Sequence, residues 1–163
     1  MQKYEDSCYF CTCSKQSTMI LYFSGTGNSL ATATTVGHRI GERVMPLAEG
    51  VHADLTHERV IGLVYPSYWF NTPPAVRDMV DSLTLPRDAY IFIVVTCGAQ
   101  AGNSILTIVQ LLRSKGVKVD YSNKIRLPDN SAIGFGRNPN SQLWKIQRYA
   151  NRLEEICQDT AYH

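Results

Sequence analysis

The 163 residues are 44% hydrophobic and 18% charged, a composition typical of one globular domain, which excludes a disordered or collagen-like chain. The 16 Lys and Arg residues against 14 Asp and Glu give a formal net charge of +2. Because no basic run exceeds two residues, nucleic acid is not an expected partner.

Strand-like and helix-like patterns alternate along the chain. Five segments have the apolar pattern of strands: 19–23, 44–47, 60–65, 90–96 and 117–127. Four segments have helical spacing: 29–42, 73–83, 103–115 and 141–159. The alternation predicts an α/β fold with a parallel sheet, and the continuous apolar run at 90–96 predicts a central strand covered on both faces. Residues 128–140 are predicted to be a loop.

Residues 1–18 lie outside this alternation. We predict that they form a flexible N-terminal extension and that 19–163 is a single domain. Cys8, Cys11 and Cys13 fall in the extension, where three sulfurs without a fourth nearby ligand make an incomplete metal site. No metal site is therefore predicted.

The remaining two of the five cysteines indicate the compartment. Cys97 and Cys157 lie in segments with interior or helical patterns, so disulfide bonds are not expected and a cytoplasmic location is predicted. The longest uncharged stretch, residues 16–38, is interrupted by glycines and rich in Thr and Ser. No membrane span is therefore expected.

The loop after the first predicted strand is rich in neutral hydrogen-bond donors. We call it the donor loop: Ser24, Gly25, Thr26, Gly27, Asn28 and Ser29. In parallel sheets, ligands bind beyond the carboxyl ends of the strands, where this loop and the start of the next helix lie. The glycines allow backbone N–H groups to turn inward, so the loop is predicted to bind an anion.

Two common anion-binding loops do not fit this segment. A Walker loop requires a Gly-Lys-Ser/Thr ending, and residues 20–33 contain no lysine. A dinucleotide fingerprint requires a third small residue where Leu30 stands. The remaining hypothesis is a terminal phosphate monoester held by N–H groups and hydroxyls. The alternative is a turn that only caps a helix.

Two further loops follow strands at the same predicted edge. "YPSYWFNTPP", residues 65–74, places Tyr68, Trp69 and Phe70 in an otherwise polar turn, and three consecutive aromatics cannot all face the core. At least one is predicted to be available for a flat ring, although Trp69 or Phe70 could instead close the end of the sheet. "TCGAQAGNS", residues 96–104, would let a ligand approach its backbone closely.

These three motifs, in this order, resemble the flavodoxin family over about residues 19–130. The resemblance is nearest to the flavodoxin-like half of proteins joined to a ferredoxin domain with two iron–sulfur clusters. It implies a flavodoxin-like three-layer α/β/α sandwich whose five-stranded parallel sheet has the order 2-1-3-4-5. It also implies FMN as cofactor and one- or two-electron transfer. The chain is slightly basic, whereas typical flavodoxins are acidic.

The resemblance also implies the cofactor-binding residues. The FMN phosphate would lie on the donor loop, Ser24 to Ser29, and the ring between the other two loops. The implied ring-side residues are Pro66, Ser67, Tyr68, Trp69, Phe70, Asn71, Thr72, Thr96, Cys97, Gly98 and Gly102. "LPDN", residues 127–130, is a further segment that could edge the ring. No catalytic residue is predicted.

Three functions are compatible with the sequence. The leading hypothesis is an electron-transfer flavoprotein that shuttles electrons between redox partners such as a ferredoxin or a reductase. The second is an NAD(P)H- or quinone-dependent FMN oxidoreductase of the same fold. The third is a non-redox binding module without FMN.

Overall fold

The computed structural model describes residues 17–128 and 143–161. Residues 1–16, 129–142 and 162–163 lie outside the described residues. The predictions for the N-terminal extension with its three cysteines, and for most of the loop at 128–140, therefore stay predictions.

Five strands and five helices alternate in the described part of the chain. The strands are β1 (Thr18–Tyr22), β2 (Arg43–Pro46), β3 (Val60–Pro66), β4 (Tyr90–Cys97) and β5 (Tyr121–Arg126). The helices are α1 (Asn28–Ile40), α2 (Leu47–Gly50), α3 (Pro74–Ser82), α4 (Ser104–Ser114) and α5 (Leu143–Ala161). Across these residues, no helix combines the length and the apolarity that crossing a bilayer requires.

The strands form one parallel sheet in the order β2-β1-β3-β4-β5, which confirms the predicted topology. β4 lies inside the sheet between β3 and β5, and it is buried from Ile91 to Cys97, as its continuous apolar run indicates. The register pairs Tyr22 with Val64 and Pro66 with Thr96. The carboxyl ends of β1, β3 and β4 therefore meet at one edge.

Each face of the sheet covers its own core, so the molecule has three layers. On one face, residues of α1 and α5 such as Val36 and Ile156 pack on Phe92 and Val94. On the other face, residues of α3 and α4 such as Val80 and Ile108 pack in the cluster that contains Tyr65. The predicted α/β/α sandwich is confirmed.

The predicted boundaries lie within two residues of the structure except at the start of the last strand, and the short helix α2 was not predicted. Leu47 was expected to end the second strand, but it is buried as the first residue of the short helix α2. The last strand was expected from residue 117, but it begins at Tyr121. There, the Asp120 carboxylate accepts the Ile91 N–H at 3.0 Å, so a side chain takes the place of the next backbone hydrogen bond of the ladder.

Candidate functional site

Hydrogen bonds tie the three predicted loops together at the carboxyl edge of the sheet. The Phe23 N–H donates to the Val64 carbonyl at 2.9 Å, and the Ser67 N–H donates to the Thr96 carbonyl at 2.8 Å. The hydroxyls of Ser29 and Thr96 lie 2.8 Å apart and are buried. The loops after β1, β3 and β4 are therefore held in one frame.

The donor loop is shaped by a left-handed glycine. Gly27 has φ 93° and ψ −20°, a conformation that glycine adopts without steric penalty. The Gly27 N–H donates to the Ser24 hydroxyl oxygen at 3.1 Å. Helix α1 begins at the next residue, Asn28, one position earlier than predicted.

The N-terminal end of α1 carries the positive end of the helix dipole. No side chain within the described residues caps the helix at Gly27, and the first turn contains no acidic residue. The first N–H groups of a helix have no partner inside the helix, and the helix dipole favours an anion beside them. The Ser29 hydroxyl is used inside the frame, so an anion here would meet backbone N–H groups and the exposed residues 25–27.

The aromatic turn, residues 68–71, is a two-residue hairpin. Tyr68 and Asn71 exchange both backbone hydrogen bonds, each at 3.0 Å. The two residues between them, Trp69 and Phe70, have φ 52° and 62°. Positive φ at both central positions is the type I′ geometry, which normally selects Asn-Gly. Two bulky side chains in this conformation are strained, and such strain is found mainly at functional sites.

The aromatic side chains of the turn face solvent. Tyr68 is 42% exposed, Phe70 58% and Trp69 82%. The alternative in which Trp69 or Phe70 closes the end of the sheet is therefore wrong, whereas the role of these rings in holding a flat ligand stays a prediction. Tyr68 reaches the donor loop, because a Cβ added at Gly25 would collide with the Tyr68 hydroxyl.

Buried hydroxyls support the aromatic turn from below. The Tyr65 hydroxyl and the Thr72 hydroxyl both donate to the Ser104 carbonyl, at 2.9 and 2.8 Å. The Ser104 hydroxyl in turn donates to the Ser67 hydroxyl at 2.8 Å. Burial raises the pKa of Tyr65, so its phenol stays protonated and remains a donor.

The glycine loop, residues 98–102, packs directly on the aromatic turn. Gly102 has φ 55°, and a Cβ there would overlap the backbone and Cβ of Phe70. The Asn103 N–H, next in the chain, donates to the Phe70 carbonyl at 2.8 Å. Close backbone approach therefore requires glycine at position 102.

Not every predicted site residue presents its side chain to this surface. Thr96 and Cys97 are buried, the first through its bond to Ser29 and the second in the core cluster beneath α4. Burial raises the pKa of the Cys97 thiol, which keeps it protonated and unreactive. Pro66 and Ser67 are half-buried, and Asn71 is exposed beside the aromatic residues.

Two side-chain contacts at this edge were not predicted. The Lys145 ammonium of α5 donates to the Gly98 carbonyl at 2.6 Å. The Asn28 amide donates to the Pro128 carbonyl at 3.1 Å, so the chain after β5 reaches the donor loop. Within residues 17–128 and 143–161, no cluster of His, Cys, Asp and Glu is arranged to hold a metal ion.

No protein-family model and no curated protein matches the sequence. Solved structures share the architecture over most of the chain. A flavodoxin from the domain Archaea matches 91% of this chain and 100% of its own, at 16% identity and a TM-score of 0.57. The chain has a flavodoxin-like fold.

Two further flavodoxin-like structures show how widely the fold is shared. Two-electron reduced Megasphaera elsdenii flavodoxin matches 70% of this chain and 90% of its own, at 20% identity and a TM-score of 0.55. The FMN-dependent NADH-azoreductase from Bacillus anthracis, in complex with FMN, matches 90% and 100%, at 12% identity and a TM-score of 0.58. A flavodoxin and an FMN-dependent NADH-azoreductase thus share this fold.

Proposed function

We propose that the protein binds FMN and shuttles electrons between redox partners. The observation that carries the proposal is the contact between the donor loop and the aromatic turn, where the Tyr68 hydroxyl lies against Gly25. A phosphate site and an aromatic surface in contact suit a ligand that joins a phosphate to a planar ring.

The donor set of the site fits the FMN phosphate. The helix end at Asn28 offers backbone N–H groups, and Gly27 faces open space, since a Cβ there would meet no atom within 4 Å. A phosphate monoester carries about −1.5 to −2 charges at neutral pH, which N–H donors and a helix dipole stabilise without a cation. The exposed rings of Trp69 and Tyr68 offer stacking surface for isoalloxazine.

FMN, when bound, supplies one- or two-electron chemistry, and the protein supplies binding and orientation. The donor loop would hold the phosphate, and the aromatic turn and the glycine loop would flank the ring. The hydroxyl network from Tyr65 through Ser104 to Ser67 fixes the spacing of these two loops. The predicted site residues are carried into this proposal with those roles, except that the buried side chains of Ser29, Thr96 and Cys97 would support the loops and not touch the ligand.

The shuttle role is supported by the similarity to solved structures named flavodoxin, one of them in its two-electron reduced form. Its partners would be redox proteins such as a ferredoxin or a reductase, encountered in the cytoplasm. A single domain from residue 19 onward, preceded by the extension, remains part of the proposal.

An NAD(P)H- or quinone-dependent FMN oxidoreductase is the second candidate. It is favoured by the similarity to the FMN-dependent NADH-azoreductase. Trp69 is 82% exposed, so the aromatic turn could also form one wall for a second substrate. Turnover of NADH with a quinone or azo dye by the purified holoprotein would distinguish this enzyme from a carrier.

Titration of the apoprotein with FMN and with riboflavin, which lacks the phosphate, tests the cofactor. Each charge-assisted hydrogen bond to the phosphate contributes about 1.5–3 kcal/mol. Two or three such bonds separate the two ligands by about a hundredfold or more in affinity. Because the donor loop contains no lysine or arginine, its hold on the phosphate should weaken little as salt is raised. Equal affinities for FMN and riboflavin would reject the phosphate site, and a protein that stays colourless with both would support the non-redox module.

A further inference from the structure

A groove of about 430 Å³ lies between the edge strand β5 and the helix α5. Its charged lining residues are Lys124, Arg126, Lys145, Arg148, Arg152 and Glu155. We call it the basic groove. The fold places the cations of α5 beside the two cations of β5.

The basic groove concentrates the positive charge of the chain. It holds five of the 16 basic residues and one of the 14 acidic residues. Outside it, acidic residues outnumber basic ones, 13 to 11. A nearly neutral chain therefore presents one positive surface against a slightly negative remainder. A potential of this shape orients an approaching anionic partner.

The groove adjoins the proposed flavin site through the glycine loop. Lys145 donates to the Gly98 carbonyl at 2.6 Å, and Arg126 lies opposite Cys97 in the register of β5 and β4. Burial raises the pKa of Cys97, while Lys124, Arg126 and Lys145 act on it in the opposite direction, which places their charges near the end of β4. On its other side, the glycine loop contacts Phe70.

The resulting face has the composition of a docking surface. Trp69 and Phe70 form an exposed aromatic part, the glycine loop follows, and the exposed side chains of Lys124, Arg126 and Arg148 form a charged rim. Aromatic and arginine side chains are enriched in protein interfaces, and charged rims steer association. Arg152 pairs with Glu155 and donates to Asn123, which fixes one wall of the groove.

We propose that the basic groove, with the adjacent aromatic turn, docks an acidic electron-transfer protein beside the flavin. The proposal rests on the proposed function for the position of the flavin, and it specifies the charge of the partner. The groove excludes a basic partner, because five closely grouped cations repel one. A nucleic acid is disfavoured because tight binding uses about 6–10 phosphate contacts along a track, whereas this groove is a compact group of five cations.

The test measures binding of a strongly acidic [4Fe–4S] ferredoxin by calorimetric titration at low ionic strength. We expect saturable binding that weakens steeply as salt is added. The double variant Lys124→Glu/Arg148→Glu should weaken it by about tenfold, because two attractions become repulsions of up to about 1 kcal/mol each. The control Arg59→Glu/Arg113→Glu makes the same change in net charge at exposed residues outside the groove and should change binding less than twofold.

Four outcomes overturn the proposal: no binding of the ferredoxin, equal weakening by both double variants, preferential binding of a basic cytochrome c, or equally tight, groove-dependent binding of a DNA duplex or anionic vesicles. The titration is made with protein before and after incubation with FMN. A protein that binds the ferredoxin but no FMN rejects the proposed function alone, and one that binds FMN but no ferredoxin rejects the docking surface alone.

Discussion

Gly27 in the donor loop and Trp69 and Phe70 in the aromatic turn all have positive φ angles, of 93°, 52° and 62°. For glycine this conformation carries no steric penalty, whereas for other L residues it costs about 1–2 kcal/mol each. One loop thus uses the residue that suits its geometry, and the other holds two residues that oppose it. The difference indicates that the side chains of the aromatic turn matter more than its local stability.

The strain in the aromatic turn is balanced by its surroundings. Tyr68 and Asn71 close the hairpin, and the Asn71 carboxamide oxygen accepts the Thr72 N–H at 2.9 Å and the Thr107 hydroxyl at 3.0 Å. The donor loop has a simpler frame, in which Ser24 accepts the Gly27 N–H. The comparison can therefore be tested by placing a bulky residue at Gly27 and turn-forming residues at Trp69 and Phe70.

The largest effect is expected for Gly27→Val, which places a β-branched residue at φ 93°. The backbone must leave this conformation at a cost of about 1–3 kcal/mol, and the N–H groups then turn away from the phosphate. We expect FMN affinity to fall by about a hundredfold, toward that of riboflavin, if two phosphate hydrogen bonds are lost. Fluorescence titration with both ligands measures the change.

Gly116→Val is the matched control for that experiment. Gly116 also has a left-handed backbone, φ 77°, and its nearest neighbour would be the Arg87 side chain at 3.7 Å, an ordinary contact. Gly116 follows α4 and lies away from the carboxyl edge of the sheet. The Gly116→Val protein should therefore lose about as much stability in urea unfolding as Gly27→Val but keep its FMN affinity. Equal losses of affinity in both variants would assign the effect to general destabilisation.

The next effect is expected for the double variant Trp69→Asn/Phe70→Gly, which gives the hairpin its preferred residues. Both side chains are mostly exposed, so little burial is lost. Relief at the two positions is worth about 2–4 kcal/mol, and the lost contacts and the conformational entropy of the new glycine reduce this to an expected rise of about 1–2 kcal/mol in the free energy of unfolding. FMN affinity should fall by about tenfold, because stacking contributes roughly 0.5–1.5 kcal/mol. Chemical denaturation measures the free energy of unfolding, and titration with FMN measures the affinity. A variant that is less stable, or binds FMN as tightly, contradicts the comparison.

The sequence predicted the donor loop better than the aromatic turn for a physical reason. Gly27 can adopt positive φ because glycine has no Cβ, so the residues of the donor loop themselves predict its turn. Nothing local favours positive φ at Trp69 and Phe70. That conformation depends on Ser104 and Gly102, which lie more than 30 residues away. Sequence reasoning could therefore predict exposed aromatics but not the hairpin that exposes them.

The same distinction holds for the fold. Strands β3 and β4 were predicted to within one residue because their apolar runs are continuous and end at turns. The start of β5 was predicted four residues too early, since the Asp120 carboxylate, a long-range partner of Ile91, ends the ladder. The basic groove was missed for a similar reason, because its cations come from two separate elements.

A smaller effect is expected for Tyr65→Phe, which removes one hydroxyl from beneath the aromatic turn. The Ser104 carbonyl keeps its bond from Thr72, so the loss at pH 8 should be about 1 kcal/mol. The pKa of Tyr65 is raised above its ordinary value of 10.0 by burial. The unfolded chain therefore releases this proton first, and the native protein loses stability as pH rises above about 10.

The Phe variant lacks this alkaline loss. Urea unfolding at pH 8 and pH 11 should therefore show a difference between wild type and Tyr65→Phe that shrinks or changes sign at the higher pH. A difference that is the same at both values would mean that the phenol is not held neutral by burial.

The smallest effect is expected for Ser24→Ala in the donor loop. Its hydroxyl accepts the Gly27 N–H at 3.1 Å at an exposed position, so the free energy of unfolding should change by no more than about 0.5 kcal/mol. The loop, however, loses the bond that holds its N–H groups in place before the ligand arrives. FMN affinity should fall by about threefold to tenfold, equivalent to about 0.5–1.5 kcal/mol. Riboflavin affinity should not change, because the phosphate is the only part of FMN that the donor loop is proposed to hold.

Ser114→Ala removes a comparable exposed hydroxyl, bonded to the Leu111 carbonyl at 2.7 Å, and should alter neither affinity. Wild type, Ser24→Ala and Ser114→Ala are titrated in parallel with FMN and with riboflavin. Equal losses of FMN and riboflavin affinity in Ser24→Ala would mean that Ser24 supports the ring and not the phosphate.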